Sequence, residues 1–134
     1  MVPAADLPTA RSLRRWAAAA LIEDAVVTLR IVGAVEARRL NRDFRGKDYA
    51  TNVLTFAYPN LRPLTGDIVL CAPVLRGEAR ERGIELYAHY AHLVVHGMLH
   101  LQGYDHERSR DARRMERLET EIVTRLGYAD PYSV

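Results

Sequence analysis

His96 and His100 stand four positions apart in the run His96-Gly97-Met98-Leu99-His100-Leu101-Gln102-Gly103-Tyr104-Asp105-His106. On a helix, residues i and i+4 share a face, with Cβ atoms about 5–6 Å apart. Two imidazoles at that spacing reach one ion at roughly 2.0–2.1 Å from each nitrogen. A third ligand farther along the same straight helix would be nearly collinear with the first two, whereas a tetrahedral ion needs its ligands splayed. Gly103 breaks the helix, and a turn there lets His106 fold back toward the pair. Three protein nitrogens leave a fourth coordination position for water, the arrangement of catalytic rather than structural zinc sites. The expected cofactor is therefore one zinc ion on His96, His100 and His106, and the expected chemistry is metal-assisted hydrolysis.

His92 precedes His96 by four positions and offers a rival triad along one helical stripe. His92 and His100 would then stand about 12 Å apart along the axis at 1.5 Å per residue, too far to share an ion with His96 between them. His92 and His89 are expected to be packed or supporting imidazoles. In the common metallopeptidase pattern the residue after the first histidine is a glutamate general base. Here it is Gly97, so peptidase chemistry lacks its usual base. Glycine inside a helix costs about 1 kcal/mol relative to alanine, and space beside the ion is the expected reason for it. Asp105 is placed to orient His106, to assist proton transfer, or simply to form the turn.

The elements that must position these side chains follow from periodicity. Pro8 to Glu23 is alanine-rich, with Leu13, Trp16, Ala20 and Leu21 at helical spacing. Val26 to Val32 alternates with Thr28 and Arg30 and predicts a strand with one face less buried than the other. Ala34 to Phe44 returns to helix. Past the polar turn Arg45-Gly46-Lys47-Asp48, two strands are predicted at Asn52 to Tyr58 and Asp67 to Cys71, as possible neighbours across a loop containing Pro59 and Pro63. Pro73 suits the first turn of a helix that Gly83 ends. A further helix, Leu86 to Gln102, carries His96 and His100, and a final amphipathic helix is predicted from Glu107 to Leu126, stopped by Gly127. The expected fold is α+β: a small mixed sheet packed against several helices, with the histidine motif on a helix followed by a glycine turn.

The 134 residues fit one domain, residues 1–134, too short for two. Hydrophobic residues at 49% and charged residues at 27% exclude a disordered chain. A net charge of +2 with pI ≈ 8.9 permits an anionic partner without demanding one. Lys47 is the sole lysine, and the other basic residues are arginines, which suit bidentate phosphate contacts. Cys71 is the only cysteine, so no internal disulfide forms, the usual pattern of a reducing compartment. Its neighbours Ile68-Val69-Leu70 predict a buried, inert thiol. The stretch Arg14 to Ile22 imitates an export signal until Glu23 and Asp24 interrupt it. No later stretch approaches the roughly 20 apolar residues that span a bilayer. The expectation is a cytoplasmic protein with no membrane partner.

From about Leu29 to Leu126 the chain resembles the bacterial YbeY endoribonucleases, associated with ribosomal RNA maturation. The resemblance rests on three segments in the same order: Leu40-Asn41-x-x-Phe44-Arg45-Gly46-Lys47-Asp48 leading into Thr51-Asn52-Val53-Leu54; Gly66-Asp67-Ile68 leading into Cys71; and the motif from His96 to His106 throughout. It implies that the three histidines are zinc ligands. It further implies that Arg45 is the family's functionally important arginine, facing the metal across a cleft that receives RNA. A guanidinium there would stabilise charge developing on a phosphate. Lys47 is a further candidate for phosphate contact and Asn52 for fixing the loop beside the substrate. The implied activity is single-strand-specific, metal-dependent cleavage of ribosomal RNA in maturation and quality control, with the ribosomal subunit or its proteins as possible partners. A zinc hydrolase of a small amide or ester, and a non-catalytic assembly factor braced by its metal, are the alternatives. The chain departs from the family at Met1 to Pro8, where two prolines replace the usual N-terminal strand and leave it absent or shortened. It departs again at Thr55-Phe56-Ala57-Tyr58-Pro59, where the family tends to have Ser-Phe-Pro.

Overall fold

A computed structural model describes residues 6–104 and 109–133, with the side chain of Ser109 left out. The shortened N-terminal strand expected before Pro8 falls largely on residues 1–5, outside the described residues. In chain order the elements are α1 (Ala10–Ala19), β1 (Ala25–Val32), α2 (Ala34–Arg45), β2 (Val53–Tyr58), β3 (Leu64–Cys71), α3 (Ala72–Arg82), α4 (Leu86–Leu101) and α5 (Ser109–Arg125). The expected α+β class and the expected helices and strands are all present.

Several boundaries follow from local chemistry. Helix α1 begins one residue after Thr9, whose hydroxyl accepts from the N–H of Ser12 at 3.1 Å. It ends at Ala19, short of the expected Glu23, because a distant side chain holds the next segment. The backbone N–H groups of Ile22 and Glu23 both donate to Oε1 of Gln102, at 2.7 and 3.1 Å. Helix α2 stops at Gly46, which takes the left-handed conformation at φ 69°. That turn sends the N–H groups of Gly46 and Lys47 back to the carbonyls of Arg42 and Asn41. Gly83 ends α3 in the same way, and Pro73 lies in its first turn. Strand β3 starts at Leu64, three residues before the predicted Asp67, because it is the central strand and pairs along its length on both sides.

The sheet order is β1-β3-β2, with β1 parallel to β3 and β2 antiparallel to it. The mixed sheet expected from the sequence is thus realised, and β2 is an edge strand. Alternation along β1 turns Val27, Leu29 and Ile31 toward the larger core, while Val26, Thr28 and Arg30 are exposed. That core joins one sheet face to α1, α4 and α5 through Trp16, Ile68, Leu70, Tyr90, Val94, Met98, Leu99, Met115 and Val123. A smaller cluster of Val32, Ala37, Leu54, Val69 and Cys71 fills the other face beneath α2. Burial pushes the Cys71 thiol up, as a buried, inert thiol requires. Helix α4 is the central element, buried on nearly every side, so the side chains it presents are held in fixed directions.

Candidate functional site

His96 and His100 lie one turn apart on α4, and each has its Nδ1 held by a different neighbouring element. Nδ1 of His96 is 2.7 Å from Oε1 of Glu119 on α5. Nδ1 of His100 is 2.8 Å from Oγ1 of Thr55 on β2. With Nδ1 engaged in each ring, a ligand role would fall to Nε2, and both rings are fixed by a partner on the Nδ1 side, as is common around histidine metal ligands.

Among the described residues Glu119 is the most deeply buried charged group, at 0% exposure. Its Oε1 also accepts from Nε2 of His92 at 3.1 Å, and its Oε2 accepts from the hydroxyl of Tyr132 at 2.7 Å. Burial opposes its charge, but hydrogen bonds from His92, His96 and Tyr132 outweigh that and pull its pKa down to about 2. Burial, together with the same pairing, pushes the Tyr132 hydroxyl far up, so that it serves as a donor. A buried carboxylate behind His96 fixes the ring through Nδ1, the way the second nitrogen of a ligating histidine is commonly held.

Gly97 has a packing reason rather than the expected room beside an ion. A Cβ built there would meet Cδ1 and Cγ2 of Ile68 at 3.1 and 3.2 Å and Cγ2 of Thr55 at 3.3 Å. Lacking a side chain, α4 lies close against β2 and β3, and that approach brings Thr55 to His100. Thr55 also connects to α2, because Nη2 of Arg45 donates to its backbone carbonyl at 3.5 Å. Arg45 and His100, distant in sequence, thus meet through one residue of an edge strand.

The other expected residues fall as follows. Lys47 sits exposed just past α2, with its backbone in the helix-ending turn and its side chain toward solvent. Asn52 donates from Nδ2 to the carboxylate of Glu78 at 3.1 and 3.3 Å and accepts from the N–H of Val53 at 2.7 Å. Its side chain pins the start of β2 to α3 and is engaged in doing so. Glu78 in turn holds Nε2 of the buried His89 at 2.9 Å. His106 and Asp105 lie outside the described residues. Among the described residues no group of three or more His, Cys, Asp or Glu is arranged to hold a metal ion.

Glu119, Thr55 and Tyr132 were not singled out in the sequence. Glu119 carried a signal: it lies on the apolar stripe of α5 between Met115 and Ile122–Val123, where a carboxylate needs a buried partner. Thr55 opens the segment that departs from the family pattern, and nothing local signals its contact with His100.

A family model described as Endoribonuclease YbeY matches residues 9–127, a span that includes Arg45 and all three expected ligands. A curated protein named Endoribonuclease YbeY from Aromatoleum aromaticum is 60% identical over 126 residues, covering 94% of this chain and 82% of that protein. One of the same name from Nitrosomonas europaea is 61% identical over 129 residues, covering 96% and 79%. Among solved structures, a solution structure of a Thermotoga maritima protein is similar with a TM-score of 0.55 and 26% identity, covering 92% of this chain and 88% of that one. Among the described residues no helix is long and apolar enough to cross a membrane.

Proposed function

The chain belongs to the endoribonuclease YbeY family, and from that premise we propose that it is a single-strand-specific, metal-dependent endoribonuclease acting in ribosomal RNA maturation and ribosome quality control. The observation that carries the reading is the pair of histidines on α4, each steadied at Nδ1 by a separate element, with Arg45 joined to one of them through Thr55. His96 and His100, with His106, would hold one zinc ion. When bound, zinc supplies a Lewis acid for a phosphoryl oxygen and brings the acidity of water toward neutral pH.

The protein's own groups do the positioning. Glu119 accepts Nδ1–H of His96, which sets the tautomer and makes Nε2 the ligating nitrogen. Thr55 Oγ1 engages Nδ1 of His100 and holds that ring's orientation, so Nε2 is the nitrogen that would face the ion. Arg45 presents a guanidinium at the edge of β2, where it binds a phosphate and stabilises charge that develops on it. Lys47, two residues on, adds a second cation for the same backbone. Asn52 keeps the β2 start in register through Glu78. The ribosomal subunit and its proteins are the proposed partners, and the cytoplasm the proposed compartment, in keeping with a single buried cysteine.

Incubation of zinc-loaded protein with labelled single-stranded and duplex RNA tests the reading. Wild type is expected to cut the single strand, His96→Ala and metal chelation to abolish cutting, and Arg45→Ala to slow it about 100-fold with an unchanged fold. RNA left intact beside ester turnover that His96→Ala removes would make it a hydrolase of small substrates. RNA bound through Arg45 but never cut by the metal-replete wild type would make it an assembly factor.

A further inference from the structure

The end of α2 runs beside the middle of β2, and two neighbouring pairs form there. Arg45 reaches the Thr55 carbonyl, and the ring of Phe44 meets the ring of Phe56 edge-on, with centroids 5.4 Å apart and planes at 66°. Phe56 packs against the smaller core, but Phe44 is 69% exposed. An aromatic ring that far into water contributes little to the core, and the contact with Phe56 fixes its orientation. We propose that Phe44 is a stacking site for an unpaired nucleobase of the RNA strand whose phosphate Arg45 holds, a proposal that rests on the endoribonuclease reading.

The local charge favours that occupant. Asp48 is matched to Arg38 by two hydrogen bonds, at 2.7 and 3.0 Å, and Asp43 to Arg42 at 3.3 Å. Among the described residues no carboxylate lies within ion-pair distance of Arg45 or Lys47, so the turn after Phe44 carries two cations unmatched by carboxylates beside an exposed ring. Basic groups that track a backbone, interleaved with an aromatic face for a base, are the recurrent construction of single-strand binding surfaces. An edge strand suits it, because among the described residues no further strand covers the outer side of β2. Stacking on Phe44 also supplies a physical basis for strand selectivity, since the faces of bases in a duplex are already covered by their neighbours.

The test uses the zinc-loaded full chain for cleavage and the His96→Ala background for binding, with one single-stranded oligonucleotide and a series of the same sequence carrying an abasic site at each position in turn. Phe44→Ala is expected to weaken binding about 5- to 100-fold and to raise KM by a similar factor, whereas Phe44→Trp keeps the wild-type values. One abasic position is expected to weaken binding by the Phe44 protein and to leave Phe44→Ala unaffected, a response that a merely structural role would not give. Wild-type binding by Phe44→Ala, or full activity in Phe44→Leu, overturns the proposal and leaves the patch to a protein partner. If wild type itself neither binds nor cuts RNA, the underlying function fails. If wild type cuts and Phe44→Ala matches it, only the stacking site fails.

Discussion

The Oγ1 of Thr55 and Nδ1 of His100 lie 2.8 Å apart across the interface between β2 and α4, and the same threonine accepts from Arg45 through its carbonyl. One small residue therefore sets the direction of the imidazole proposed as a metal ligand and the position of the guanidinium proposed to hold a phosphate. Thr55→Val keeps the shape and removes the hydroxyl. Zinc affinity, read by competition with a chromogenic chelator, is expected to fall about 10-fold, while unfolding free energy changes by about 1 kcal/mol. Unchanged zinc affinity would mean that the hydroxyl does not orient the ring.

Glu119 is the larger test. Glu119→Ala leaves donors of His92, His96 and Tyr132 facing a dry space, with an expected loss of about 3–5 kcal/mol in urea unfolding of the metal-free protein. Glu119→Gln retains an acceptor and is expected to lose less, yet to lower zinc affinity 10- to 100-fold because its amide no longer holds Nδ1 as a carboxylate does. Tyr132→Phe removes one of the three donors and is expected to cost about 1 kcal/mol. Equal stability of all three variants would show that the buried carboxylate is not the hub of this region.

His89, at the opposite end of α4, is expected to set a pH response. It is 3% exposed, and burial, the largest influence, lowers its pKa below the ordinary histidine value, against the opposing pull of Glu78. His92 and Arg82 push it the same way as burial. Below about pH 6.5 the unfolded chain takes up a proton that the folded chain resists. Stability from this group is therefore complete above that pH and declines as pH falls toward the lowered folded value. Urea midpoints between pH 7 and 5 are expected to fall less steeply for His89→Gln than for wild type. Parallel slopes would remove His89 as the source.

Much of this molecule is legible from local sequence, and the reason is that helices and strands are periodic. The i, i+4 spacing of His96 and His100 places them on one face of α4 wherever that helix packs, and Gly46 and Gly83 end their helices because their left-handed turns suit glycine. The alternation in β1 likewise reports which residues face the core. What only the tertiary structure decided are the partners that lie far away in the chain: Thr55 for His100, Glu119 for His96, and Gln102 for the segment after α1. These depend on how closely α4 settles on the sheet, which a single missing Cβ at Gly97 permits, and no local period encodes a distance between elements. Backbone hydrogen bonding sets the faces of each element, while close packing of complementary side chains decides which faces meet.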